Sequence, residues 1–132
     1  MIKLRNISLV VLSSALLAAC TSHPLMNVYD RTVPNRYDGQ PQTSATVEKA
    51  IFTGCLDKGW VCREVTPGHI EASISVRKHR ATADINYSEK SYSIAYKDSY
   101  LLDYNGRKNT IHRNYNRWIN NLEQAISKNL VM

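Results

Sequence analysis

Residues 69–96 have the sequence HIEASISVRKHRATADINYSEKSYSIAY, in which apolar side chains alternate with polar ones through three successive segments. Alternation with a period of two is typical of β-strands that bury one face and expose the other. The apolar rows are Ile70, Ala72, Ile74 and Val76, then Ala81, Ala83, Ile85 and Tyr87, then Tyr92, Ile94 and Tyr96. The stretch therefore predicts three antiparallel strands joined by short turns.

A fourth strand is predicted upstream of this stretch, where Val61 and Val65 lie on one side of an extended segment. Pro67-Gly68 follows it and favours a type II turn, and residues 77–80 and 88–91 supply two further polar loops. One set of registers places all four apolar rows on the same face: it pairs Val65 with Ile70, Val76 with Ala81, and Tyr87 with Tyr92. The sequence therefore predicts a four-stranded antiparallel meander.

Amphipathic helices are predicted on both sides of the meander. Apolar residues recur at helical spacing over residues 44–58, where Thr43 or Ser44 can cap the start and Gly59 ends the pattern. A second helix is predicted over 111–130 from an apolar stripe of Ile111, Tyr115, Trp118, Ile119, Leu122 and Ile126. Two helices on one face of an antiparallel sheet form an α+β two-layer sandwich, here with the order α-β-β-β-β-α. Its predicted bounds are residues 44–132, as a single domain.

The first nineteen residues have the layout of a secretory signal peptide. Lys3 and Arg5 carry positive charge, and residues 7–19 are apolar apart from three serines. A helix of this length spans only about 20 Å, which is too short to cross a hydrocarbon core of ~30 Å. We therefore expect residues 1–19 to be removed during export.

The apolar segment ends in Leu17-Ala18-Ala19-Cys20. A leucine, two small residues and a cysteine form the lipobox of bacterial lipoprotein precursors, and the chain resembles them at all four positions. The resemblance implies that the Cys20 thiol receives diacylglycerol, that cleavage follows Ala19, and that the new amino terminus is acylated. Thr21, in place of an aspartate after the cysteine, implies sorting to the outer membrane with the protein facing the periplasm. The alternative is an ordinary signal peptide that ends near a cysteine.

Residues 20–43 contain three prolines, several Asn, Gln and Ser residues, and no helical or alternating pattern. This composition predicts a lipidated amino terminus on a flexible tether. Over roughly residues 44–130, the chain resembles small lipoproteins of unknown function from Gram-negative bacteria. The resemblance lies in the predicted helix, the Pro67-Gly68 hairpin, the tyrosine-rich strand and the segment Tyr115-Asn116-Arg117-Trp118-Ile119. These motifs are mostly core positions, so the resemblance implies no particular activity.

Cys55 and Cys62 remain once Cys20 is lipidated. The envelope outside the inner membrane is oxidising and permits a disulfide, which would stabilise a small domain by ~2.5 kcal/mol. The predicted register, however, points Cys62 away from the helices, while Cys55 lies on the helical stripe. Two interpretations stay open, a disulfide or two small buried apolar side chains. Metal binding is not expected, because no second Cys or His pair stands at ligand spacing.

The densest positive charge is the run Arg77-Lys78-His79-Arg80, which the meander places at a hairpin tip. Arg77, Lys78 and Arg80 can grip a phosphate or carboxylate, to which arginine donates two parallel hydrogen bonds. The plainer interpretation is a solubilising tip that discourages edge-to-edge pairing of strands. Tyr100 and Tyr104 lie in an irregular segment and are candidates for an exposed patch, whereas most other tyrosines occupy predicted core positions.

Charge indicates which partners to expect. Removal of Lys3 and Arg5 lowers the formal net charge from +6 to +4, which favours an anionic envelope component or an acidic envelope protein as partner. Nucleic acid is not expected there, and the chain contains no catalytic or phosphate-loop motif. We therefore expect a non-enzymatic, membrane-anchored lipoprotein without a cofactor or metal, working as a binding or scaffold module. The alternatives are an inhibitor of a periplasmic or secreted enzyme, similar to lysozyme inhibitors, and a carrier of a lipid or glycan.

Overall fold

The computed structural model of the protein describes residues 21–132, and seven strands and two helices account for most of them. The strands are β1 (Ser22–Pro24), β2 (Val28–Thr32), β3 (Val61–Thr66), β4 (His69–Val76), β5 (His79–Tyr87), β6 (Ser91–Tyr100) and β7 (Thr110–His112). The helices are α1 (Ser44–Asp57) and α2 (Arg113–Leu130). The predicted α+β class is confirmed. The main sheet has five antiparallel strands instead of four, in the order β2-β6-β5-β4-β3, and β1 and β7 form a second sheet.

The two central hairpins keep the predicted faces but not both predicted registers. Tyr87 pairs with Tyr92 across β5 and β6, as predicted. In the β4–β5 hairpin Val76 pairs with His79 instead of Ala81, so only two residues form the turn. The tighter turn extends the ladder between the two strands. Because this register differs from the predicted one by an even number of residues, the apolar rows still face the same side.

Strand β3 is turned over relative to the prediction. Glu64 pairs with Ile70 in place of Val65, and the register shifts before the Pro-Gly turn, which is retained. A shift of one residue sends every side chain of a strand to the other face. Val61 is accordingly 75% exposed, while Cys62 packs against the core. Val61 is exposed because the register shift turns it to the outer face of the sheet, and turning Cys62 inward lets it reach α1.

The segment predicted as a flexible tether instead contributes two strands in the part that is described. β2 adds the fifth strand beside β6, with the Val28 side chain buried in the core. β1 pairs with β7, and Ser22 stands opposite His112. The sequence signal is weak because β2 buries only its first residue and its register shifts after it. The folded unit therefore includes residues upstream of 44, while the predicted signal peptide and Cys20 lie outside the described residues.

Local capping fixes where both helices begin. The Thr43 hydroxyl accepts a hydrogen bond from the Thr46 amide, and the Thr46 hydroxyl accepts one from the Thr43 amide, which forms a capping box for α1. α2 begins at Arg113, later than predicted, because the preceding residues pair as β7 and the His112 ring accepts from the Asn114 amide. Within residues 21–132, no helix is long and apolar enough to cross a membrane.

One hydrophobic core lies between the helices and the inward row of the sheet. Tyr92 and Tyr115 are the bulkiest of its fully buried side chains, and they pack among mostly aliphatic residues. The helices cross closely at Gly54, where an added Cβ would lie 2.8 Å from the Ile126 side chain and 3.0 Å from its backbone nitrogen. A larger residue at Gly54 would force the two helices apart.

Candidate binding site at the β4–β5 turn

The turn between β4 and β5 presents two adjacent basic side chains, Arg77 and Lys78. Both side chains are exposed. A two-residue hairpin turn adopts few backbone conformations, so the positions of their Cα atoms are nearly fixed. Arg77 has a φ of 57°, a left-handed conformation that costs a residue with a Cβ roughly 1–2 kcal/mol. Glycine adopts this conformation without that penalty. Arg77 therefore holds its charged side chain at the turn in a backbone conformation that glycine would adopt with less strain.

Arg80 and Tyr100 extend the site along the neighbouring strands, where they pair across β5 and β6. The sequence predicts Tyr100 in an irregular segment, whereas in the structure it is the last residue of β6. The Arg80 guanidinium carbon lies 5.0 Å from the centre of the Tyr100 ring, which permits a cation–π interaction of ~0.5–1 kcal/mol at an exposed site. A guanidinium that lies over a ring can still donate from its N–H edge to a carboxylate or phosphate.

These side chains line one surface depression of about 390 Å³, which Ser75 and Leu101 complete. Tyr100 is 53% exposed and Leu101 is 50% exposed, so apolar surface lies directly beside the positive charge. The three cations take part in no ion pair within residues 21–132. We refer to this group of five as the hairpin patch, defined by Arg77, Lys78, Arg80, Tyr100 and Leu101.

The structure brings together four of the five residues that the sequence predicts as a binding surface. Tyr104 is the exception, because its ring packs on the ring of Tyr96 with 4.2 Å between the two centres. The sequence does not predict a role for Leu101. A leucine pair in an irregular segment is a weak signal, and only its second member, Leu102, is buried. The exposed first member then becomes part of the hairpin patch.

The outer face of the sheet differs from the hairpin patch, because its charges are paired. Glu71 accepts hydrogen bonds from Lys97 and Arg63. The bond from Lys97 holds the pKa of the Glu71 carboxyl below its ordinary value and raises the pKa of the lysine. The His69 ring nitrogen lies 2.7 Å from a carboxylate oxygen of Asp84. The carboxylates of the outer face thus have close side-chain partners, whereas the cations of the hairpin patch face solvent.

Cys55 and Cys62 form a disulfide that joins α1 to β3. Of the two interpretations that the sequence leaves open, the structure contains the bonded one. The predicted register argued against it, and the one-residue shift in β3 removes that objection by turning Cys62 toward the helix. The bond ties the edge of the sheet next to β4, the strand that leads into the hairpin patch, to the helical layer.

The side chains of the hairpin patch offer ionic and apolar contacts to a ligand. Within the described residues, no group of three or more His, Cys, Asp and Glu side chains could hold a metal ion. Comparison with known protein families, curated proteins and solved structures finds no match to this chain. The function must therefore be argued from the site itself, which suits reversible binding of an anionic group that carries an apolar part.

Proposed function

We propose that this protein is a non-enzymatic, lipid-anchored module of the bacterial cell envelope that binds an anionic envelope component through the hairpin patch. The observation that carries the proposal is the convergence of three cations and two exposed apolar side chains on one depression. The lipobox at residues 17–20 supports an anchor on Cys20, and Thr21 supports an outer-membrane location that faces the periplasm.

The chemical class of the ligand follows from the side chains. Arg77 and Arg80 can each donate two hydrogen bonds to one phosphate or carboxylate group, and Lys78 adds a mobile point charge. Tyr100 and Leu101 add apolar contact at the rim, so a charged group with an apolar flank fits better than a free ion. Lipid phosphates, lipopolysaccharide cores, peptidoglycan carboxylates and acidic protein patches all offer the required charge.

The two alternative functions have less support. A carrier needs space between the helices and the sheet, but the rings of Tyr92 and Tyr115 are buried in that layer and occupy it. Inhibitors similar to those of lysozyme are mainly β, whereas α2 alone has 18 residues. We therefore propose neither function for this protein.

The anchor is tested by replacing Cys20 with alanine in the full precursor. We expect the protein with its natural sequence to fractionate with the outer membrane and to incorporate labelled fatty acid. The Cys20→Ala variant should lose both properties. A Thr21→Ser variant serves as the control, because it keeps the lipobox intact. A Cys20→Ala protein that still sediments with membranes and still carries label would contradict the anchor.

Binding is tested by photo-crosslinking in cells. A photoreactive amino acid at Lys78 should capture an anionic envelope component, because this side chain belongs to the hairpin patch. The matched control is Lys90, which lies in the turn at the other end of β5. Capture of the same molecules with the same yield from both positions would contradict a binding role for the patch.

A further inference from the structure

The amino end of the described chain lies close to the hairpin patch. The Arg113 amide donates a hydrogen bond to the Thr21 carbonyl at 2.8 Å, and the preceding amide, of His112, donates to the Leu102 carbonyl at 2.8 Å. Leu102 is the direct neighbour of Leu101 in the patch. With ~4.8 Å between paired strands and ~3.8 Å between consecutive Cα atoms, these steps place Thr21 within roughly 18 Å of Leu101.

Strand directions lead to the same conclusion. β4 ends, β5 begins and β6 ends at the hairpin patch, so the patch occupies one end of the main sheet. β2 is antiparallel to β6, and the Tyr96 amide donates to the side-chain oxygen of Asn27, just upstream of β2. The chain that precedes β2 therefore runs toward the same end of the sheet.

The chain between Cys20 and the folded unit is too short to act as a tether. Only Thr21 separates Cys20 from β1, and each extended residue advances the chain by at most ~3.6 Å. β1 is itself held by β7, and the Asn116 side chain donates to the Pro24 carbonyl and accepts from the Met26 amide. A lipid on Cys20 would therefore hold this end of the sheet at the membrane surface.

We propose that the hairpin patch lies against the same membrane that holds the Cys20 lipid, and that its ligand is the anionic headgroup layer of that membrane. The inference rests on the proposed lipidation and deepens it by naming the ligand. It also fixes the orientation of the protein. The β5–β6 turn and the carboxyl end of α2 then point away from the bilayer, toward the periplasm.

The composition of the hairpin patch matches the interface of a bilayer. Tyrosine rings settle at the level of the headgroups, and an exposed leucine such as Leu101 reaches slightly deeper. Lys and Arg side chains are attracted to anionic lipids within about one Debye length of the surface. Three further charged residues lie near the patch. Asp98 borders it beside Arg80 and Tyr100, Asp103 follows Leu101 by two residues, and Arg113 follows His112, which is hydrogen-bonded to Leu102. The four cations outnumber the two carboxylates.

The test measures binding of residues 21–132, which contain the whole core described above, to lipid vesicles. We expect sedimentation with vesicles of equal parts phosphatidylglycerol and phosphatidylcholine and little with phosphatidylcholine alone. An Arg77→Gln/Lys78→Gln variant should bind the anionic vesicles roughly tenfold to thirtyfold more weakly. Arg80→Gln leaves the turn residues in place and should weaken binding in the same direction, which separates lost charge from a damaged turn.

Matched controls separate a local surface from total charge. Lys49→Gln/Lys90→Gln removes the same number of charges away from the patch and should weaken binding by about twofold at most. Leu101→Ala should weaken binding several-fold, whereas Leu56→Ala, at a leucine that is even more exposed on α1, should not. Equal weakening by the patch variant and the lysine control would overturn the proposal, as would equal binding to both kinds of vesicle.

Inorganic phosphate distinguishes a membrane surface from a site for free phosphate. At constant ionic strength, adding it should not release the protein from anionic vesicles, and release would overturn the inference. The lipid-free protein makes this test independent of the anchor. If Cys20 proves to carry no lipid, the proposed anchor fails, whereas the selectivity of residues 21–132 for anionic vesicles is measured separately.

Discussion

Strand β5 has a turn at each end, and the two turns differ in what their side chains contact. In the β5–β6 turn the Ser88 hydroxyl accepts hydrogen bonds from the amides of Lys90 and Ser91. In the β4–β5 turn, Arg77 adopts a left-handed φ of 57° beside a second cation, Lys78. The first turn stabilises the hairpin with its own side chain, whereas the second holds charge at a cost in backbone energy. The difference separates a turn that stabilises the fold from one whose charged side chains we propose to bind a membrane.

The largest expected change in stability comes from removing the disulfide, which supports the sheet that carries both turns. Replacing Cys55 and Cys62 with serine should lower the free energy of unfolding by ~2.5 kcal/mol, because the unfolded chain loses a covalent constraint. Urea denaturation measures the change. At temperatures where the variant is folded, its preference for anionic vesicles should stay unchanged. Loss of that preference in a folded variant would show that the patch depends on more than its own side chains.

We call the β5–β6 turn the self-capped turn, because the Ser88 hydroxyl accepts hydrogen bonds from two of its own amides. Its stabilising role is tested at Ser88. Ser88→Ala removes the acceptor for two backbone amides and should lower the free energy of unfolding by ~1 kcal/mol, without changing vesicle binding. Ser75→Ala is the control, since that serine borders the other turn and its hydroxyl makes no hydrogen bond within residues 21–132. A larger loss of stability at Ser75 than at Ser88 would reverse the comparison.

The charged turn is tested at Arg77, where stability and binding should move in opposite directions. Arg77→Gly relieves the left-handed backbone and should raise the free energy of unfolding by ~0.5–1 kcal/mol. The same change should weaken binding to anionic vesicles about fivefold. Thermal unfolding and sedimentation measure the two effects. A glycine variant that is less stable than the unmodified protein would show that the arginine serves the fold.

The smallest effect concerns the paired charges on the outer face. The pKa of Glu71 is lowered from its ordinary value of 4.5, so its ion pairs contribute fully above that pH and are lost as the pH falls through the lower, folded value. The difference in stability between the unmodified protein and Glu71→Gln should therefore shrink below pH 4.5. Glu89→Gln, in the self-capped turn and without an ion pair within residues 21–132, should give a curve parallel to that of the unmodified protein. Parallel curves for both variants would contradict the prediction.

The sequence was sufficient for the parts of the fold that repeat a pattern. Alternation over three strands settles which side chains face the core, and a register error of two residues in the β4–β5 hairpin leaves those faces unchanged. β3 and β2 could not be predicted in the same way. The sequence predicts the strand β3 but not the face that it buries, because its register shifts near Val65. β2 has no alternating pattern that would reveal it, because it buries only Val28.

The candidate site could be predicted where charge and turn position coincide, at Arg77, Lys78 and Arg80. Tyr100 was predicted for its exposure, but its place beside Arg80 depends on how β6 extends past its register shift. Leu101 could not be predicted, because its exposure follows from the bend after β6. That Thr21 lies near the hairpin patch also requires the structure, since it depends on the pairing of β1 with β7.

The central claim is that the anchored protein holds the Arg77-Lys78 turn against its own membrane. The most direct test places a fluorophore, through an unnatural amino acid, at position 78 or at position 90 of the lipidated protein in phosphatidylglycerol-containing vesicles. Lipids with a quencher in the headgroup should quench position 78 strongly and position 90 weakly, and high salt should reduce the difference. Equal quenching at the two positions, or stronger quenching at position 90, would contradict the account.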